Sequence, residues 1–210
     1  MTDMQKDVTL TFHNQGLRSY IWVDLCPDCP RQDDKGCCGY YSPVFYPLDF
    51  AYFLVHQPEL VDYILSLPRL TVLDASVTVN SFIDDNSGYR CQFHTRDQGC
   101  LLPVEMRESV CRHFVCPGIG WWEEESLQSW REFFEQLSEY EISLNQELAG
   151  ILKESGLTLR EPQLRPKFFE TLLPLYQQRL QCLPEFCSGF PPVEEVVIRR
   201  EIVFGHNWLL

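Results

Sequence analysis

Ten cysteines are the residues of this 210-residue chain whose type and spacing suit them best to chemistry. Eight of them form two groups along the sequence: Cys26, Cys29, Cys37 and Cys38, then Cys91, Cys100, Cys111 and Cys116. Thiolates are soft ligands that select zinc, copper(I) or iron–sulfur clusters over calcium and magnesium. The grouping therefore predicts that these eight cysteines bind metal.

The first group combines two spacings with different consequences. Two residues separate Cys26 from Cys29, so both thiolates can reach one ion around a tight turn. Cys37 and Cys38 are adjacent, and adjacent side chains diverge. This pair therefore implies either two ions or a distorted loop.

The later cysteines raise a similar question. Cys111 and Cys116 are five positions apart, which on one continuous helix would separate their side chains by about 140°. Either the helix ends between them or they serve different sites. Eight thiolates match two four-ligand sites, or one cluster with additional ligands, and the spacing leaves both open. We expect Cys182 and Cys187, which stand apart near the C-terminus, to be buried as small apolar residues.

Charged and aromatic-ring residues lie next to several of the candidate ligands. Arg107 and Arg112 could donate hydrogen bonds to cluster sulfurs or bind an anionic substrate, although an ion-paired arginine is the simpler interpretation. His94 and His113 are more readily explained as packed or surface residues than as ligands.

The eight cysteines and their neighbours resemble the YkgJ-like cysteine-cluster family, whose pattern is CxxC, then CC, and later a run close to RPxxCRxFPC. The resemblance covers roughly residues 20–120, and its matching positions are Cys26, Cys29, Cys37, Cys38, Cys91, Cys100, Arg107 and residues 111–116. It implies a zinc- or iron-chelating domain in which all eight cysteines are ligands. The chain departs from the pattern at Glu108 and Val115, where the family has proline, and in the seven residues that separate Cys29 from Cys37, a longer spacing than usual. None of the three departures removes a ligand.

The elements that must position these residues indicate an α+β fold in one domain. A cysteine-rich metal-binding region, residues 1–120, is expected to be packed by a mainly helical region, residues 121–210. The predicted strands lie within 8–23, 44–46, 70–83, 89–95 and 193–204, with a turn at 84–88. The predicted helices cover 47–56, 58–67, 103–113, 121–155 and 166–183, the last of them kinked at Pro174.

Composition excludes several classes of protein. The formal net charge is −13 and the sequence pI is about 4.7, whereas nucleic-acid binding needs a surplus of lysine and arginine. The acidity also argues against docking on anionic lipid. We expect no membrane span and no signal peptide, and hence a cytoplasmic protein, in which persistent disulfides are rare.

Three functions remain open at this stage. The first is a metal-binding protein that holds an iron–sulfur cluster or zinc, with uneven and vicinal thiolates favouring the cluster. The second is an iron–sulfur-dependent modifying enzyme, in which Arg107 and Arg112 hold the substrate. The third is a non-catalytic interaction module organised by zinc. The sequence names no protein partner and no small-molecule substrate.

Overall fold

The computed structural model describes residues 4–33, 35–84, 88–95 and 98–210. Within these ranges the strands are β1 (Met4–His13), β2 (Tyr20–Val23), β3 (Val44–Phe45), β4 (Leu70–Val72), β5 (Val77–Val79), β6 (Phe82–Asp84), β7 (Gly88–Arg90), β8 (His94–Thr95), β9 (Gly99–Cys100) and β10 (Val193–Ile202). The helices are α1 (Pro47–His56), α2 (Glu59–Ser66), α3 (Ser109–His113), α4 (Gln128–Glu154) and α5 (Arg165–Leu180). The fold is therefore α+β.

The largest sheet joins the two ends of the described chain. Its order is β10-β1-β2, and both pairings are antiparallel. On β1, Val8, Leu10 and Phe12 are fully buried and alternate with polar residues, as a strand with one face on the core requires. Because β10 and β1 pair, residues from both sequence regions share one sheet.

Three smaller antiparallel sheets lie in the first region. They are β3-β5-β4, β6-β7 and β8-β9. Short strands of this kind are marginal alone, so their positions depend on packing against the helices. The buried Phe45 of β3, for example, meets Phe50 and Phe53 of α1 at ring-centroid distances of 6.3 and 5.7 Å.

Helix α4 forms the apolar wall that supports the sheet. Trp130 is 1% exposed, and its ring stacks on Phe12 of β1 with centroids 4.8 Å apart. Leu137, Leu144 and Leu148 continue the same buried face, with the spacing of an amphipathic helix. Helices α1 and α5 also pack against α4.

Most predicted elements are confirmed to within a few residues, and four stretches differ more from the prediction. Helix α1 has the predicted bounds. The helix predicted over 121–155 begins only at Gln128, because residues 121–127 form two 3-10 turns after Gly120 adopts a positive φ of 59°. The helix predicted over 103–113 is a 3-10 turn followed by α3, and residues 89–95 divide between β7 and β8. One or two strands are predicted within 70–83, and the structure has three there, β4, β5 and the start of β6.

Two local features stay predictions. Helix α5 includes Pro174 within one continuous helix, and the kink at this residue is still a prediction. Of the turn predicted at 84–88, residues 85–87 lie outside the described residues. Within the described parts of the chain, no helix combines the length and the apolarity needed to span a bilayer.

Candidate metal centre

The loop that carries the first four cysteines is ordered by short helical turns and by one aspartate. Cys26–Asp28 and Gly36–Gly39 are 3-10 helices. Asp33 Oδ1 accepts hydrogen bonds from the backbone N–H of Gly36 at 2.7 Å and of Lys35 at 3.3 Å, and Asp33 Oδ2 pairs with Arg31 Nε at 2.7 Å. These bonds fix the approach to Cys37 and Cys38.

Gly36 allows the two halves of this loop to meet. Its φ is +51°, a backbone conformation that favours glycine, and a Cβ atom there would lie 2.9 Å from Cys29 Sγ. A side chain at position 36 would therefore occupy the space of the Cys29 thiol. The CxxC segment and the adjacent pair Cys37 and Cys38 depend on this close approach.

Four cysteines form what we call the first thiol group: Cys26, Cys29, Cys37 and Cys116. Although the Cys26 residue is exposed overall, burial of its thiol raises the pKa to about 12, and the other three thiols of the group add to the rise. Burial, and then Cys37, raise the pKa of Cys29. The four sulfurs thus lie within electrostatic reach of one another.

Cys116 reaches this group because α3 ends before it. The helix stops at His113, and Cys116 precedes a separate 3-10 turn at Pro117–Ile119. Burial, followed by Cys37, raises the pKa of the Cys116 thiol to about 11, and Cys29 adds to the rise. The end of α3 at His113 answers the question posed by the five-residue spacing, because Cys111 lies on the helix and Cys116 lies beyond it.

The other four cysteines form the second thiol group: Cys38, Cys91, Cys100 and Cys111. The backbone N–H of Cys91 donates to the carbonyl of Cys38 at 2.8 Å. Cys100 pairs with His94 between β8 and β9, and the N–H of His94 donates to the carbonyl of Cys91 at 3.0 Å. Backbone hydrogen bonds therefore bring three separated cysteines together.

Electrostatics link the same residues. Burial raises the pKa of the Cys91 thiol to about 11, with Cys100 and Cys37 adding to it. The pKa of Cys38 is raised by its hydrogen bond with the Cys37 thiol, then by burial and by the charge of Cys37, and further by Cys100 and Cys91. The charge of Cys37 therefore raises the pKa of thiols in both groups, although Cys37 belongs to the first group and the adjacent Cys38 to the second.

Glu108 holds Cys111 in place and was not singled out as functional from the sequence. Its carboxylate caps α3 by accepting from the backbone N–H of Cys111 at 2.7 Å and of Val110 at 3.0 Å. It is 2% exposed, and burial raises its pKa. Burial, then the charge of Glu108 and a hydrogen bond with it, raise the pKa of the Cys111 thiol.

Arg107 is a positive group that acts on two of the thiols. It lowers the pKa of both Cys26 and Cys37, while its Nε atom donates to the carbonyl of Leu102 at 3.0 Å. The Cys37 pKa is lowered first by the hydrogen bond from the Cys38 thiol and then by Arg107, against the effect of burial. Arg107 therefore favours the thiolate form in the first thiol group.

Trp208, near the C-terminal end of the sequence, lies beside Cys116 of the first thiol group. A Cβ atom on Gly118 would lie 2.8 Å from its ring, and its carbonyl accepts from Arg31 Nη1 at 3.2 Å. The buried indole N–H has no hydrogen-bond partner of good geometry in the described residues. It lies beside Cys116, whose pKa it lowers in part.

Four further candidate residues lie outside the two thiol groups: Arg112, His113, Cys182 and Cys187. Arg112 is 1% exposed and forms an ion pair with Glu141 at 2.6 Å, so the simpler interpretation of this arginine is confirmed. His113 packs on Phe134 at a ring-centroid distance of 5.0 Å. Cys187 is buried as expected, but Cys182 is exposed, and the prediction for it is wrong. It follows α5 directly, where the chain turns at the surface.

The donor set suits a soft metal in its chemistry. All ten cysteines are free thiols. Of the eight in the two groups, six have raised pKa values, since burial and the neighbouring sulfurs oppose a negative charge. A cation would remove that opposition. Across the described ranges, however, no three His, Cys, Asp or Glu side chains are placed so that they would hold a metal ion.

A cavity of about 670 Å³ lies beside the start of α3. Its lining includes Glu108, Ser109 and Val110 from this region and residues of α4 such as Ile142 and Asn145, and none of the eight clustered cysteines lines it. Its exposed lining is mainly apolar.

Comparison with known proteins gives no relative from which to transfer a function. A scan against models of protein families, a search of curated proteins and a search of solved structures each find no match.

Proposed function

We propose that this chain is a cytoplasmic metal-binding protein whose eight clustered cysteines hold zinc or an iron–sulfur cluster. One observation carries the proposal. The charge of Cys37 raises the pKa of six of the other seven clustered thiols, which come from three separate stretches of the chain. The resemblance to the YkgJ-like cysteine-cluster family points to the same eight residues.

The cysteines divide, in this proposal, into two four-thiol sites. The first thiol group is one site and the second thiol group is the other. The division gives the adjacent residues Cys37 and Cys38 to different sites. Because a hydrogen bond joins their two thiols, the two sites would lie side by side. The division also separates Cys111 from Cys116, which lie on either side of the end of α3.

The protein's own groups would each have a role at these sites. Glu108 would orient Cys111 through its backbone N–H, and the Trp208 indole would donate to the sulfur of Cys116. Outer hydrogen bonds of this kind tune metal–thiolate centres. When bound, zinc would supply a rigid structural centre, and an iron–sulfur cluster would supply electron transfer.

Binding is coupled to proton release. Six of the thiols have raised pKa values, so they are protonated at neutral pH and must lose their protons before they bind metal. Because the described side chains are not already placed as ligands, the thiols must also close around the ion. Titration of metal-free protein with zinc in a weakly buffered indicator dye should therefore release several protons per ion. Release of fewer than one proton per ion would contradict thiolate ligation.

The decisive experiment is anaerobic purification followed by metal, sulfide and visible-absorption analysis. Zinc at about two ions per chain without colour would identify two four-thiolate sites. Iron with acid-labile sulfide and a broad visible absorption would identify a cluster. Absence of both from protein purified out of metal-supplemented cells, together with no uptake on reconstitution, would refute the proposal.

Serine variants test the division between the sites. Cys29→Ser should lower the metal content of the first thiol group alone, and Cys91→Ser that of the second alone, so each retains about half of the metal if zinc is bound. Cys182→Ser is the matched control because Cys182 is exposed and lies outside both groups. Loss of all metal in both variants would indicate one shared cluster, and unchanged content in both would exclude these cysteines as ligands.

Chelation should unfold the cysteine-rich region. A structural zinc site contributes about 10–16 kcal/mol, whereas a whole domain is stable by only about 5–15 kcal/mol. Circular dichroism melting of the protein before and after chelation measures the effect. An unchanged melting curve for protein verified as metal-free would contradict a structural role for the metal.

A second candidate function is a cluster-dependent modifying enzyme. The cavity beside α3 favours it, because the carboxylate of Glu108 both lines the cavity and accepts from the backbone N–H of Cys111 at 2.7 Å. Ile142, which is 59% exposed and lines the cavity, offers a test. Ile142→Trp would narrow the cavity and should weaken the thermal shift produced by a metabolite that binds there in the wild-type protein. A shift of unchanged size in this variant would place binding elsewhere.

A further inference from the structure

Strand β10 is a long and regular sheet edge. It pairs with β1 over ten consecutive residues without a bulge, and in the described parts of the chain β1 is its only strand neighbour. A regular edge of this length presents a row of unpaired N–H and C=O groups that can accept another strand. Proteins commonly protect such edges with proline or a bulge, and neither interrupts β10.

The two faces of β10 differ sharply. Ile198 and Ile202 point to the core and are buried, and on the same face Glu194 accepts from Trp130 Nε1 at 2.8 Å. The opposite face carries Val193, Glu195, Val197, Arg199 and Glu201, which are all exposed. Val197 is 57% exposed at the centre of the strand. The outer face of β10 therefore has one exposed apolar residue, Val197, at its centre and a charged residue on each side of it.

The charges on the outer face are available for a partner. In the described residues, neither the Glu195 nor the Arg199 side chain makes an ion pair or a hydrogen bond of its own. Across the β1–β10 pairing, Glu195 lies opposite Thr11 and Arg199 lies opposite Asp7. Glu195 therefore has no charged residue opposite it within the sheet.

The sequence of the edge is complementary to itself. If a second copy of β10 pairs antiparallel around a two-fold axis at Val197, Glu195 of each copy lies directly opposite Arg199 of the other. Opposite charges in directly facing positions stabilise antiparallel strands. An axis at Ile198 would instead set Glu195 against Glu201, and an axis at Arg199 would set two arginines together. Side-chain alternation makes each of these registers distinct.

We propose that two copies of this chain form a homodimer through antiparallel pairing of their β10 edges, with the two-fold axis at Val197. The pairing joins two three-stranded sheets into one continuous six-stranded sheet. It uses the same surface on both copies, as a two-fold interface requires. Two Glu195–Arg199 pairs flank the contact between the exposed Val197 side chains. The inference is independent of metal binding, since none of the eight cysteines lies on this strand.

Charge reversal tests the register directly. Sedimentation velocity should show a dimer of the full-length wild-type protein. Glu195→Arg alone makes two arginines face each other at each pair of the interface, and Arg199→Glu alone makes two glutamates face each other there. Each variant should therefore weaken dimerisation at least about tenfold. An equimolar mixture of the two variants should form a heterodimer, because each interface pair then has opposite charges again.

Two controls separate the interface from folding. Glu201→Arg reverses a charge on the same face but lies opposite Val193 in the proposed register, so its dimer should persist. The far-UV circular dichroism spectrum of each single variant should match that of the wild type, because the change alters only the contact between copies. The melting temperature of the variants should be lower by the contribution that dimerisation makes to the wild type. A monomeric wild type at high concentration would overturn the proposal. A dimer unaffected by both single reversals, or failure of the mixture to associate, would overturn it equally.

Discussion

Removal of Glu141 should destabilise the protein far more than removal of a surface carboxylate from the same helix. Glu141 and Arg112 form an ion pair at 2.6 Å, with their side chains only 4% and 1% exposed. Arg112 Nη1 also donates to the carbonyl of Ser19 at 2.5 Å. In Glu141→Leu the guanidinium stays buried without its counter-charge, and loss of one partner of a buried pair costs about 3–5 kcal/mol.

The expected change is large enough for equilibrium urea unfolding. With a slope of about 2 kcal/mol per molar urea, a loss of about 3–5 kcal/mol moves the midpoint down by about 1.5–2.5 M. The matched control is Glu147→Leu, also on α4, where Glu147 pairs with Arg179 and the side chains are 44% and 35% exposed. An exposed pair of this kind contributes about 0–1 kcal/mol.

The difference between the urea midpoints of these two variants tests whether leaving the buried Arg112 charge without its partner is costly. Equal midpoints for Glu141→Leu and Glu147→Leu would show that burial of the Arg112 charge carries no special cost. A midpoint shift below about 0.5 M for Glu141→Leu, with an unchanged slope, would refute the reasoning on its own, because it corresponds to only about 1 kcal/mol. Circular dichroism at zero urea verifies that both variants are folded at the start.

Three further changes have defined outcomes. Glu108→Ala removes the cap of α3 and should cost about 0.5–2 kcal/mol in urea unfolding, whereas Glu108→Asp should retain part of the stability. Gly36→Ala introduces a side chain at a positive φ and 2.9 Å from Cys29 Sγ, so it should lower both stability and metal content. Gly150→Ala, by contrast, lies in the interior of α4 with no atom within 4 Å of the new Cβ, and should stabilise the protein by about 0.5–1 kcal/mol in the same assay. A loss of stability in this last variant would contradict the open space around it.

Local signals made several elements predictable. Pro47 at the first helical position and Asp49 in the first turn specify where α1 begins, and these cues act within a few residues. The glutamate-rich stretch before Gln128 misled the prediction for α4. Its composition suits a helix, but the left-handed conformation of Gly120 and two tight turns take up residues 121–127. Tertiary packing, rather than propensity, sets that boundary.

The arrangement of the cysteines likewise depends partly on the local sequence and partly on contacts between residues that are distant in the sequence. Residue type and clustering identified the eight cysteines as candidates. The end of α3 at His113 agrees with the end of the helix predicted over 103–113. The rest of the arrangement was not predictable, because it depends on the backbone hydrogen bond between Cys91 and Cys38, which are far apart in the sequence. Glu108 was missed as a capping residue since glutamate is not among the preferred N-cap residues. The signal that could have identified Glu108 is its position three residues before Cys111, from which its carboxylate accepts the backbone N–H of that cysteine.

The pairing of β1 with β10 also constrains how the chain is made. His13 pairs with Val193, so about 180 residues must be synthesised after β1 before its partner strand exists. At about 5–20 residues per second, this takes about 10–40 s. During that interval the apolar side of β1, with Val8, Leu10 and Phe12, has no β10 beside it. Strand β1 is therefore synthesised long before its sheet can be completed, and the order of synthesis makes the β1–β10 pairing a late step in the formation of this sheet.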